Sequence, residues 1–126
     1  MEKINNMTAQ EIFNKVVTHL RNQKIKSVGL NKGGIGENYI CLYRGPNGTK
    51  CAVGCLIPDN VYQQKFEGHK VVYLATNYPE IEKLIHGNEI LIAQLQGIHD
   101  YNRYEDWEDD FNILAKKCNL TVPEKI

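Results

Sequence analysis

Three things are missing from this chain of 126 residues. The first is net charge. Fifteen Lys and Arg cancel fifteen Asp and Glu, so no overall field draws the protein to a nucleic acid polymer or an anionic membrane. The second is a long apolar run. No stretch approaches the roughly 18–20 residues that cross a bilayer, and the N-terminus lacks the basic flank, apolar region and small-residue cleavage site of a secretory leader. The third is a pair of Cys-x-x-Cys knuckles, the usual mark of structural zinc. Four cysteines with no leader are expected as reduced thiols, and the setting as cytoplasmic. Internal repeats and low-complexity segments are absent too.

What is present is enough apolar material, 42% of residues, to build one self-sufficient domain. Its extent is residues 1–126, with an ordered core over 8–120. Thr8 and Glu11 form a capping box, with Met7 and Ile12 as the accompanying hydrophobic staple. Ile12, Phe13, Val16, Val17 and Leu20 make one apolar stripe, which predicts a helix from Ala9 to Asn22 with Lys15 and His19 toward solvent. Ile25–Leu30 reads as a short strand. Asn31–Asn38 is glycine-rich but fits neither a Walker loop nor a dinucleotide fingerprint, because Gly34 is followed by Ile35 and no third glycine falls in register. It reads as a mobile loop, with a lid as the functional option.

Tyr39–Tyr43 has strand composition, and Pro46-Asn47-Gly48 is a turn sequence. Lys50–Ile57, the longest nearly uncharged apolar stretch, is expected to return as the second strand of a hairpin. A helical turn from Ala52 is the alternative for so short a run. Pro58-Asp59 opens a short helix over Asn60–Gln64, and Val71–Leu74 is either a strand or a helix start. Pro79–His86 is a helix closed by Gly87. Asn88 caps the next helix, whose apolar face is Ile90, Leu91, Ala93, Leu95 and Ile98. The last helix opens on Glu105–Asp110 and closes on Lys116-Lys117, in accord with the helix dipole. Its stripe is Trp107, Phe111, Leu114 and Cys118, and Thr121–Ile126 is a frayed tail. The expected class is α+β: an N-terminal helix, a central β-hairpin or three-stranded antiparallel sheet, and two to three C-terminal helices.

Charge is unevenly spread. Residues 1–50 are mainly basic and Asp100–Asp110 mainly acidic, which suggests an internal electrostatic match, a head-to-tail contact between subunits, or two solvated faces. Cys51 and Cys55, with His69 or His99, have the chemistry of a zinc site. With His99 and Asp100 they have that of a nucleophilic triad. Their aliphatic surroundings favour buried core thiols instead, so no catalytic residue, metal ligand or cofactor is assigned. For binding, tyrosine beside arginine stacks on planar rings and grips phosphate. Tyr39, Tyr43 and Arg44 form one such set; Asn102, Arg103 and Tyr104, after His99-Asp100 and Tyr101, form another. Asp59, at the polar end of the apolar run, completes the candidate ligand residues together with His99.

Tyr43-Arg44-Gly45-Pro46-Asn47-Gly48, Lys50-Cys51-Ala52-Val53-Gly54-Cys55-Leu56-Ile57-Pro58-Asp59 and Leu95-Gln96-Gly97-Ile98-His99-Asp100, followed by Trp107, resemble a family of small, uncharacterised proteins of bacteria, prophages and phages. The resemblance runs from about Thr8 to Cys118, and no catalytic residues come with it. It implies an accessory, anti-defence setting in the host cytoplasm. The leading expectation is a non-enzymatic sponge that sequesters a small nucleotide-like immune signal, working as a homo-oligomer without a membrane or nucleic acid polymer. A direct inhibitor of a host defence protein, using the acidic block, and a Cys/His hydrolase are the alternatives.

Overall fold

The computed structural model describes residues 7–30 and 39–125, with the side chains of Leu30 and Tyr39 excepted. The glycine-rich segment 31–38, expected as a loop or lid, lies outside the described residues. Helix α1 spans Ala9–Gln23 and opens on the expected reciprocal cap, in which the Glu11 amide donates to Thr8 Oγ1 at 3.1 Å and the Thr8 amide to Glu11 Oε1 at 2.8 Å. Its stripe of Ile12, Phe13, Val16, Val17 and Leu20 is wholly buried. His19 is not at the solvent face expected of it. It is half-buried, and Nε2 donates to the Lys50 carbonyl at 2.9 Å, because residues 50–57 lie against this flank of α1.

The sheet is an antiparallel hairpin with a different partner from the one expected. Strand β1 (Val28–Leu30) pairs with β2 (Tyr39–Cys41), with Val28 opposite Cys41 and Gly29 opposite Ile40. Lys50–Ile57 does not return as a strand. The Asn47-Gly48 turn forms, with φ of 59° and 76°, but it closes only one flanking contact, Gly45 N–H to the Thr49 carbonyl at 2.8 Å. The reason is burial. Cys51, Ala52, Val53, Leu56 and Ile57 are each at most 3% exposed, whereas the outer strand of a half-solvated hairpin must alternate. The chain coils instead: Cys55 N–H reaches the Cys51 carbonyl at 3.0 Å and Leu56 N–H the Val53 carbonyl at 2.9 Å. The helical-turn alternative is thus the closer one, although no helix forms.

The remaining helices are α2 (Val71–Asn77), α3 (Pro79–Ile85), α4 (Glu89–Tyr101) and α5 (Trp107–Cys118). Val71–Leu74 is therefore helical. The expected helix after Pro58 is a single turn, in which the Val61 and Tyr62 amides share the Pro58 carbonyl; a short 3-10 turn follows at Gln64–Phe66. Gly87, at φ 83°, ends α3 as expected. On α4 the buried set is Leu91, Ile92, Leu95, Ile98 and His99. Ile90 and Ala93, expected inside, face outward, because the 3.6-residue period places both on the side away from Leu95, the middle of the buried stripe. Helix α1 packs on α4, α4 on α5, and α2 on α3, making a small α+β domain. Over its described residues the C-terminal segment is not frayed. Gln10 donates to the Thr121 carbonyl at 2.8 Å and accepts the Thr121 amide at 2.9 Å, and Arg21 holds the Pro123 carbonyl at 2.7 Å. No helix among the described residues is long and apolar enough to cross a membrane.

Gly54 sits where a Cβ would run into the backbone carbonyl of Tyr43. Backbone cannot step aside as a side chain can, so Gly54→Ala should cost at least the ~1–3 kcal/mol of a core overpacking. Urea denaturation of the variant against the unsubstituted protein measures it.

Candidate functional site

The last turn of α4 carries a buried polar chain. His99 is fully buried, and its Nε2 receives the backbone N–H of Ser27 at 2.9 Å. An amide can only donate, so Nε2 holds a lone pair and the ring proton sits on Nδ1, which donates to Asp100 Oδ1 at 2.8 Å. Gln96, one turn earlier, donates to the same carboxylate oxygen at 2.6 Å and accepts the Val53 amide at 2.8 Å. Lys26 Nζ reaches the Asp100 backbone carbonyl at 3.3 Å, and the His99 ring lies 6.0 Å from that of Trp107. Neither Gln96 nor Ser27 was singled out as a site residue. A glutamine one helical turn before an aspartate is the signal that marks it.

The thiol beside this pair is Cys41, not Cys51 or Cys55. Cys41, His99 and Asp100 bring one ligand-type atom each within 4.8 Å of one another. Burial, followed by a hydrogen bond to Asp100 and that residue's charge, pushes the Cys41 thiol up to about 12. A metal on Nδ1 would drive the ring proton onto Nε2, against the Ser27 amide, so the tautomer opposes coordination. The same amide occupies the lone pair that a general base would use. Cys51 is 1% exposed, and burial drives its thiol far up. Cys55 is raised to about 12 by burial while its Sγ donates to the Ala52 carbonyl at 3.1 Å. His69 lies elsewhere, its ring stacked on Tyr73 at 4.1 Å. These thiols are held in the unreactive protonated form.

The first tyrosine–arginine set is drawn into the scaffold. Arg44 donates to the Gly54 carbonyl at 2.7 Å, the Ile57 carbonyl at 2.8 Å and Asp59 Oδ1 at 3.0 Å, and its guanidinium lies 4.8 Å over the Tyr62 ring. Glu67 accepts the amides of Tyr43 at 2.9 Å and Arg44 at 3.0 Å, and the Tyr62 hydroxyl at 2.6 Å. The Tyr43 hydroxyl donates to the His69 carbonyl. Burial raises both phenols above the ordinary range, and Glu67 adds to this. Tyr43, Arg44 and Asp59 therefore converge, but around a turn of their own chain. The Tyr39 side chain lies outside the described residues.

The second set is more open. Asn102 donates to Asp110 Oδ2 at 2.8 Å, and its carbonyl accepts the Trp107 indole at 3.3 Å. Arg103 is exposed between Asp106 and Glu105, at 3.3 and 3.8 Å. Tyr104 is 44% exposed, sits edge-on to Trp107 at 5.2 Å and walls a cleft of ≈ 680 Å³. The cleft lies between the end of α1, the turn at Tyr104–Asp106 and the C-terminal segment, with Lys24, Lys125, Glu105 and Glu124 among its lining residues. Its floor is the Arg21–Glu108 pair, two parallel hydrogen bonds of 2.8 Å. That bond to Arg21 holds the Glu108 carboxyl below its usual range. The pair also realises one option for the charge asymmetry, an internal match between the basic front and the acidic block.

Two predictions follow from these contacts. Gln96→Ala and His99→Phe each strand a backbone amide, Val53 or Ser27, and should each cost about 1–3 kcal/mol. Both act on one network, so the double variant should deviate from additivity by at least ~0.5 kcal/mol in urea denaturation. For pH, burial depresses His19 below its ordinary 6.5, so the unfolded chain takes up that proton first and stability falls as pH drops below the ordinary value. Glu108, depressed below 4.5, contributes stability above that value and loses it at lower pH still. His19→Gln should flatten the upper limb, between about pH 7 and 5, and leave the lower one; an unchanged upper limb would refute the assignment. No family model, curated protein or solved structure matches this chain.

Proposed function

We propose that this chain is a non-enzymatic binding protein that sequesters a small nucleotide-like ligand in the Tyr104 cleft. The carrying observation is the cleft itself, ≈ 680 Å³ with an exposed tyrosine wall and lysines at its rim. That volume suits a ligand of nucleotide size. The Tyr104 ring offers a stacking surface for a planar base, Lys24 complements phosphate together with Lys125, whose Nζ lies 3.9 Å from Glu108, and Glu105 and Glu124 accept hydrogen bonds from amino or hydroxyl groups. The rigid Arg21–Glu108 floor supports the reading, because a preorganised pocket loses less on binding.

The sequence resemblance to phage and prophage proteins supplies the setting: an anti-defence sponge in the host cytoplasm that lowers the free concentration of an immune signal. Inhibition of a host protein through the acidic block has less support. Asp100, Asp106, Glu108 and Asp110 are engaged by His99, Arg103, Arg21 and Asn102 of the same chain. The hydrolase alternative lacks an activated thiol, as described above for Cys41, Cys51 and Cys55.

Thermal shift and calorimetry with cyclic mono- and dinucleotides and cyclic ADP-ribose isomers test the reading. A bound ligand at 100 times its Kd should stabilise the fold by about 2.7 kcal/mol. Tyr104→Ala and Lys24→Glu should each weaken it at least ~10-fold, about 1.4 kcal/mol. If none of these compounds moves the melting temperature, the small-ligand reading is lost.

A further inference from the structure

We infer that the outer face of α4 and α5, away from the cleft, is the interface of a two-fold symmetric dimer of this chain. A groove of ≈ 290 Å³ runs between the two helices, with Gly97, Ile98, Tyr101, Ile113 and Leu114 among its lining residues. Its apolar members stand out to solvent: Tyr101 is 83% and Ile113 60% exposed, and Ile90, outside the groove on the same helix as Tyr101, is 77% exposed. Isolated exposed apolar residues need no explanation, but a run of them along two adjacent helices does. Gly97 supplies a notch. A Cβ built there would meet nothing closer than Tyr101 Cδ2 at 4.0 Å, so the α4 backbone is open to a bulky side chain from a partner.

The charges on the face identify that partner as a second copy. Asp110 and Lys117 lie on the groove, seven residues apart on α5, or about 10 Å along the axis. Among the described residues neither forms an ion pair within the protomer; Asp110 only accepts from Asn102. When two α5 helices cross antiparallel about an axis near Ile113 and Leu114, each Asp110 faces the other copy's Lys117, and Tyr101 of each protomer meets the other's apolar groove. A surface with opposite charges placed symmetrically about an apolar centre is self-complementary, which is the condition for an isologous interface. An unrelated partner would have to carry the reverse charge order, whereas a copy has it by symmetry. The cleft uses Trp107 and Glu108 on another side of α5, so dimerisation and ligand binding are separable.

Sedimentation and light scattering of the full chain over a concentration series test this. The expected mass is about twice 14.4 kDa. Ile113→Glu, at an exposed position, should keep the fold by circular dichroism and raise the dimer Kd at least ~10-fold. Lys117→Glu and Asp110→Lys should each weaken the dimer, and the double exchange D110K/K117E should restore it. Restoration distinguishes a charge pair between copies from damage to the fold. A monomer at every concentration, or a dimer indifferent to all four variants, overturns the proposal, and capture of a foreign protein on this face by a monomeric chain counts against it equally.

Discussion

Residues 50–57 are mostly buried without belonging to a helix or a sheet, and their peptide groups must find partners that no ladder supplies. The coil's own turns supply some, and side chains supply the rest. Gln23 accepts the Lys50 amide at 2.7 Å and donates back to the Lys50 carbonyl at 2.9 Å, where His19 joins it. Gln96 takes the Val53 amide, and Arg44 takes the carbonyls of Gly54 and Ile57. Leaving one such group unsatisfied costs about 1–3 kcal/mol, so the positions of α1, α4 and the Arg44 turn are all tied to this one loop.

The same requirement decides which polar residues are left for function. Arg44, Glu67, Tyr62, Gln96, His99 and Asp100 have the residue types of a binding or catalytic site, yet each is engaged by the backbone of this chain or by a neighbour that is. Their rigidity is useful elsewhere. His99 and Asp100 secure the end of α4, after which the turn at Tyr104–Asp106 carries Tyr104 and Glu105 to the cleft beside α1 and the C-terminal segment. The cleft thus stands on a framework whose hydrogen bonds are satisfied internally, with lysine and tyrosine side chains at its rim.

Some of this was legible in the chain. The first helix was readable to within a residue, because capping boxes and 3.6-residue stripes are local: Thr8, Glu11 and Ile12 through Leu20 need no distant partner. Gly87, Pro79 and the acid-first, lysine-last order of α5 were readable for the same reason. The partner of β2 was not. Asn47-Gly48 is a hairpin turn and does form, but whether the next segment pairs depends on what covers it, and all of Cys51–Ile57 except Cys55 is buried. Nor was His99 readable as a buried acceptor, since its partner, the Ser27 amide, is 72 residues away in sequence. Asn102, Arg103 and Tyr104 were found as a group by their types, but the cleft that Tyr104 walls needs Lys24 and Lys125 from opposite ends of the chain.

What the sequence by itself determined was α1 with its capping box, the helices α3, α4 and α5, and the apolar stock of the core, because those follow from interactions within one or two turns. Which thiol stands beside the His99–Asp100 pair, which strand β2 pairs with, and which polar residues remain at the surface were decided only by the tertiary structure. Each depends on satisfying buried peptide groups with side chains distant in sequence, and no local pattern encodes that closure.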